Sequence, residues 1–341
     1  MTIHTPAFFG LSGLALTAEE RALFGDAAPA GYILFARNIA DRVQLRALTD
    51  DLRTLSGRED VPILIDQEGG RVARMRAPEW PSFPAGNAYA ALYERAPASA
   101  IAAARANAEA IALTLAEVGV NVNCLPVLDV ASDVTHAALG DRAMSDDPMR
   151  VAALGRAVLE GLQTGGVVGV AKHIPGHGRA AVDSHHELPV VDASEAELER
   201  DITPFRTLNW APMAMTTHVL YPVWDGERPA TQSPRIVGDI IRGRIGFDGL
   251  LMTDDLDMHA LTGTKGERAA LALDAGVDIA LQCNGDIADM RDVVDRVGGR
   301  MTDAAQRRLG AAMAGVSSAP EFRADRLAQA TETRDALLAL A

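Results

Sequence analysis

The sequence predicts an α/β fold, a (β/α)8 TIM-type barrel built from a single domain, and three observations carry that reading. Eight short apolar runs recur along the 341 residues, most of them continuous rather than alternating, as parallel strands covered on both faces are. Helix patterns with recognisable ends lie between several of them. Ionisable side chains collect just after five of the runs, at the strand ends where such a barrel carries its chemistry.

The runs span residues 8–14, 31–35, 61–67, 120–130, 167–173, 211–219, 249–255 and 277–283. Thr17-Ala-Glu-Glu20 is a capping box, with Gly25 as the expected C′ residue of the helix it opens. An alanine-rich helix is expected from Ala98 to Glu117, ending at Gly119. Asp147-Pro148 opens another that stops at Gly165-Gly166. Ser194-Glu-Ala-Glu197 repeats the capping box, and Ser233-Pro234 sets an N-cap before proline. An open doubly wound sheet is the nearest competitor, but no G-x-G-x-x-G follows its first strand. Ser12 lacks the G-x-S-x-G frame of a hydrolase nucleophile.

With 48% hydrophobic residues and no linker-like stretch, residues 1–341 read as one domain. The tail after Val316 is expected to be helical and to pack on the barrel. A formal charge of −14 argues against nucleic acid and for a small-molecule partner. The N-terminus lacks the basic start of a signal peptide, and no apolar run is long enough to span a membrane. Cys124 and Cys283 lie far apart without metal or redox spacing, as free thiols in a cytoplasmic protein would.

The polar strand ends are Asp66-Gln-Glu-Gly-Gly-Arg71, Asp129 with Gly140-Asp-Arg142, Lys172-His173, His218 and Asp254-Asp255. Carboxylates that accept from vicinal hydroxyls, mixed with fixed donors such as Arg74, Arg142 and Lys172, suit a sugar. Mutual pairing of the charges as struts is the plainer alternative. Half of the eight histidines fall in residues 170–189, VAKHIPGHGRAAVDSHHELP. Ligands for zinc or iron from His173, His177, Asp183, His185 and His186 are one reading, although H-x-x-x-H across Pro175-Gly176 is not a helical metal motif. A proton-transfer loop is the other.

Taken in order, Leu34-Phe-Ala-Arg-Asn38, Asp66-Gln-Glu-Gly-Gly-Arg-Val-Ala-Arg74, Lys172-His-Ile-Pro-Gly-His-Gly178, Asp183-Ser-His185 and Thr253-Asp-Asp-Leu256 resemble glycoside hydrolase family 3. The likeness is strongest to its bacterial β-N-acetylglucosaminidases of peptidoglycan recycling, and covers about residues 8–285. It implies a retaining exo-enzyme, free of cofactor and metal, acting on GlcNAc-containing muropeptides. Asp254 becomes the nucleophile, His185 the acid/base and Asp183 its partner, with Asp66, Arg74, Arg142, Lys172 and His173 on the substrate. Ile174 stands where the family commonly has an aromatic residue, and Thr253 where it has serine. His186, Asp257 and His259 receive no role from the likeness.

The chemistry is coherent: an aspartate at a buried strand end is rigidly aimed, and imidazole titrates near neutrality without heavy burial. His177, with Gly176 and Gly178, is expected to shape a loop over the pocket, and residues 174–189 to move as a lid. Arg37, Arg74 or Arg179 is expected at the rim, facing the carboxylate of an anhydromuramoyl peptide. The alternatives are attack by the substrate's own acetamide, phosphate in place of water, another family 3 β-glycosidase, and a non-catalytic sugar-binding barrel.

Overall fold

The computed structural model describes residues 5–316 and 323–340. Eight parallel strands close into a barrel in sequence order, β1 pairing with β8. They are β1 Thr5–Gly10, β2 Pro29–Leu34, β3 Ile63–Ile65, β4 Val122–Asn123, β5 Val168–Ile174, β6 Met213–Thr216, β7 Leu250–Asp255 and β8 Ile279–Gln282. The outer ring carries α1 Ala18–Ala27, α2 Arg42–Ser56, α3 Asn87–Arg95, α4 Pro97–Glu117, α5 Pro148–Thr164 and α6 Glu195–Thr207. A π-helix, Ile236–Ile245, then α7 Lys265–Asp274 and α8 Ile287–Val297 complete the ring. The expected (β/α)8 architecture is therefore what the chain forms.

The strands are largely apolar because both of their faces are covered, and most of their charged residues fall at the C-terminal ends of β5 and β7. One set of side chains, including Phe8, Ile33, Leu64, Val170, Met213, Leu250 and Ile279, fills the barrel. The alternate set packs outward against the helices. A further helix, α9 Asp303–Met313, presents Ala305, Leu309 and Met313 to the inner cluster. Arg308 anchors it to Asp248 and Asp278, the residues just before β7 and β8, so α9 covers the N-terminal end of the barrel. The opposite, C-terminal mouth stays open.

The run 120–130 yields only two strand residues, and two asparagines explain why. Asn121 and Asn123 copy the backbone pattern with their side-chain amides, Asn121 bonding Ile63 N and Val61 O, Asn123 bonding Gln67 N and Gln67 O. Side chains thus extend the β3–β4 ladder beyond its main-chain hydrogen bonds.

Both capping boxes form, and Asp147 caps α5 ahead of Pro148. Gly25, expected as the C′ residue of α1, lies inside that helix instead. Ala28 takes the left-handed turn (φ 44°), its N–H bonding Phe24 O, and Pro29 stops the helix by starting β2. The last helix, α10 Ala324–Leu338, lies on α4, which accounts for the alanines of α4 being buried nearly all round. Buried Arg334 reaches Asn107 Oδ1 at 3.3 Å and Arg326 pairs with Glu109. The first residues of the expected tail, 317–322, and the start of the N-terminal segment, 1–4, lie outside the described residues. Among the described residues no helix is long and apolar enough to cross a membrane.

Candidate active site

The open mouth holds a cavity of about 250 Å³, lined by residues from the ends of β2, β3, β5, β6, β7 and β8 and by two loops. All eight residues singled out from the sequence reach it: Asp66, Arg74, Arg142, Lys172, His173, Asp183, His185 and Asp254.

One side is a buried charge network. Past β3 the side chains alternate: Asp66 and Glu68 face the cavity. Gln67 turns away, accepting from Arg74 N and Met75 N and donating to Met75 O. Lys172, only 2% exposed on β5, reaches Asp66 Oδ1 at 2.9 Å and Glu68 Oε1 at 2.6 Å. Arg142 grips Glu68 with two 2.8 Å bonds, and Arg74 reaches Asp66 Oδ2 at 3.1 Å. Burial works against the charges of Asp66, Glu68, Arg142 and Lys172, yet the pairing wins. Lys172 and Arg74 hold the Asp66 carboxyl well below the usual carboxylate range, and Lys172 with Arg142 brings Glu68 to about 2. The two carboxylates in turn hold Lys172 above the ordinary lysine value despite its burial. Glu68, which the motif reading left without a role, is thus the hub of the network.

Next to it stands a third carboxylate, Asp129, fully enclosed after β4. Its oxygens accept from His173 Nδ1 at 2.6 Å, His173 N at 3.2 Å and His177 N at 2.7 Å. Burial opposes its ionisation, but His173 and His177 bring it down to about 2. An ionised Asp129 takes the Nδ1 proton of His173 as a hydrogen bond and leaves Nε2 for the cavity. His177 is bonded through Nδ1 to Thr217 Oγ1 at 2.6 Å, and burial lowers it to about 4, so it is neutral near pH 7.

Asp254 projects from the end of β7. Thr253 Oγ1 beneath it accepts from Leu281 N at 2.8 Å, tying β7 to β8, so the threonine hydroxyl has a structural task. Asp254 Oδ1 accepts from Asp255 N at 2.8 Å. The Asp255 carbonyl accepts from His218 Nε2 at 3.0 Å, and Thr231 holds the other nitrogen of that ring. His218 is thus a strut under the peptide that presents Asp254. Burial, with Asp257 and Asp254 close by, pushes the Asp255 carboxyl up to about 7. Asp257 fastens the β8 exit through Lys265 at 2.8 Å and Asn284 N at 2.8 Å.

Across the cavity, the loop after β5 brings Asp183 and His185. Asp183 Oδ1 accepts from both His185 N (3.0 Å) and His185 Nδ1 (2.7 Å). The His185 side chain is 62% exposed. Its Nε2 is therefore the nitrogen available to a bound molecule.

The rim expectation narrows to one of its three arginines, and the alternative of a metal site finds no ligand set among the described residues. Arg179 does not stand at the rim: it pairs with Asp201 at 2.8 Å and Glu197 on α6, and Arg37 donates to the carbonyls of Leu11 and Cys283. Of the three rim candidates Arg74 alone lines the cavity, joined there by Arg71, which pairs with Asp141 at 2.8 Å. The histidine-rich segment does not assemble a metal site. His173 and His177 turn Nδ1 to Asp129 and Thr217, and among the described residues no three His, Cys, Asp or Glu side chains gather to hold an ion.

Residues 7–312 match the profile of the glycosyl hydrolase family 3 N terminal domain. A beta-hexosaminidase of Alkalilimnicola ehrlichii is 40% identical over 284 residues, 82% of this chain and 80% of the relative. NagZ from Neisseria gonorrhoeae superposes with a TM-score of 0.86 at 31% identity, covering 99% of this chain and 98% of that one. The same Neisseria protein in complex with N-trifluoroacetyl-D-glucosamine superposes with a TM-score of 0.84 at 31% identity, with the same coverage.

Proposed function

The chain belongs to glycoside hydrolase family 3, and from that premise we propose that it is a retaining exo-acting β-N-acetylglucosaminidase that removes terminal GlcNAc from peptidoglycan fragments, the GlcNAc-1,6-anhydroMurNAc peptides. One observation carries the reading: Asp254 on a rigid strand end and the Asp183–His185 pair on a loop border the same cavity. A cavity of about 250 Å³ suits a single hexosamine ring, in keeping with exo action, and a similar protein binds an N-acylated glucosamine.

In this mechanism Asp66, Glu68, Arg142, Lys172 and His173 hold the sugar hydroxyls. Their charges are already paired with one another, so they offer directed donors and acceptors rather than a net field, which fits a neutral sugar. Asp254 attacks the anomeric carbon as His185 Nε2 gives its proton to the leaving oxygen, forming a glycosyl-aspartate. Asp183 holds the Nδ1 proton and so turns Nε2 towards the leaving oxygen. Neutral His185 then takes a proton from water, whose oxygen displaces Asp254. The unpaired, buried cysteines Cys124 and Cys283 accord with a cytoplasmic setting.

The test is a panel of nitrophenyl glycosides on wild type, Asp254→Asn and His185→Ala. The β-N-acetylglucosaminide should be the preferred substrate, and Asp254→Asn should lose activity on all of them. Full activity of Asp254→Asn, or a product sugar 1-phosphate made only with phosphate present, would replace this reading.

A further inference from the structure

The loop that carries the dyad is fastened unevenly. Its first part is tied down: Tyr221 Oη donates to Gly176 O at 2.6 Å, Thr135 Oγ1 to Gly178 O at 2.6 Å, and His136 N to Ala180 O at 3.0 Å. Its far end is also held, Leu220 N donating to Pro189 O at 2.9 Å and Val191 N to Leu220 O at 2.9 Å. Between these anchors residues 181–188 are exposed or half-buried with one exception, Ser184, which is 5% exposed.

Ser184 is inserted against the segment that follows the nucleophile. Its carbonyl accepts from Ala260 N at 3.2 Å, and its Oγ lies 3.3 Å from Met258 Sδ. Met258 and Ala260 are both buried and firmly placed. Met258 N donates to Asp255 O at 3.2 Å, while Arg268 of α7 donates to the carbonyls of Leu256 at 2.6 Å and Met258 at 3.1 Å. Asp183 and His185 flank Ser184 directly, so wherever Ser184 is seated, both members of the dyad follow. A small buried side chain in an exposed loop tip has no other evident task.

Resting on the function proposed above, we propose that Ser184 and Met258 are positioning residues: together they form the seat that sets His185 Nε2 at the leaving oxygen, and tie its place to the β7 exit that presents Asp254. The seat acts through His185 and leaves the nucleophile untouched. Its loss should therefore weaken protonation of the leaving group and spare attack on a substrate that needs no proton.

The experiment compares chitobiose, whose leaving group needs a proton, with 2,4-dinitrophenyl β-N-acetylglucosaminide, whose leaving group does not. Met258→Ala should lower kcat on chitobiose by about tenfold or more, a share of what a positioned acid contributes, with KM little changed. Its kcat/KM on the dinitrophenyl substrate, which reports the first step alone, should stay close to wild type. Met258→Leu, which refills the volume, should recover most of the loss. Ser184→Gly, which empties the other half of the seat, should repeat the split and serves if Met258→Ala does not fold. In a His185→Ala background Met258→Ala should add nothing. Equal losses of kcat/KM on both substrates, no loss on either, or an additive loss in the double variant overturn the seat while leaving His185 as the acid. A His185→Ala enzyme indifferent to the leaving group removes the underlying reading, and the seat with it.

Discussion

The two sides of the cavity are built on opposite principles. Around Asp66, Glu68 and Lys172, charges sit on strand ends, buried and paired several times over. Across from them His185 stands on a loop, largely exposed, with one carboxylate for company. Groups that must hold a ring in one pose tolerate burial because their partners cancel its cost. A group that must exchange protons twice per turnover gains from standing open to solvent, where leaving group and water can both reach it. Removing a residue should therefore unfold the first side and merely silence the second.

The sharpest contrast is His185→Ala. Its rate on chitobiose should fall by ~10²–10⁴, the usual contribution of a general acid, while its thermal midpoint stays at the wild-type value. A large drop in stability would mean that the loop is structural. Lys172→Met should behave oppositely. It takes the shared cation from Asp66 and Glu68 and leaves each with a single arginine, and losing one partner of a buried ion pair costs about 3–5 kcal/mol, read as a lower denaturant midpoint. Unchanged stability would dissolve the distinction between the two sides.

Acid should separate them next. Glu68 and Asp129 have folded-state values near 2 against ordinary values of 4.5 and 3.8, so the fold favours their ionised forms. That stability is complete above about pH 4.5 and drains as the pH falls towards 2; at about 1.4 kcal/mol per unit it amounts to a few kcal/mol. His177 adds an earlier loss. Lowered to about 4 from 6.5, it is kept neutral by the fold, so the unfolded chain gains protons first as the pH falls through that interval. Denaturant titrations from pH 7 to 3 should show the decline, with a shallower slope for Glu68→Gln wherever that variant folds. The smallest effect is expected at the surface: breaking the exposed Arg46–Asp50 pair with Asp50→Ala should change stability by less than ~1 kcal/mol.

Most of the barrel could be foreseen because periodicity and capping are local properties of sequence. Buried strands read as unbroken apolar runs, and both capping boxes appear where the chain spells them. The polar strand ends led to the mouth for the same reason. What escaped depends on partners distant in sequence. Glu68 stands two places after Asp66, so strand alternation already put both on one face, but only closure of the barrel brings Lys172 between them. Asp129 was visible as a strand end, and its grip on His173 and His177 was not. Arg179 looked like a free cation until α6 supplied Asp201. The brevity of β4 has the same origin, since nothing local says that Asn121 and Asn123 will replace main-chain hydrogen bonds. Ala28, which closes α1 with a positive φ beside a helical Gly25, shows that Pro29 outweighs glycine in setting where that helix ends.

The central claim is that sugar passes through a covalent bond to Asp254, opposite the exposed imidazole. Mass spectrometry of the protein after reaction with a fluorinated N-acetylglucosaminyl donor bearing an activated leaving group tests it most directly. A glycosyl adduct mapping to Asp254, and missing from Asp254→Asn, is the predicted result. An adduct on another side chain, or undiminished turnover by Asp254→Asn, would contradict it.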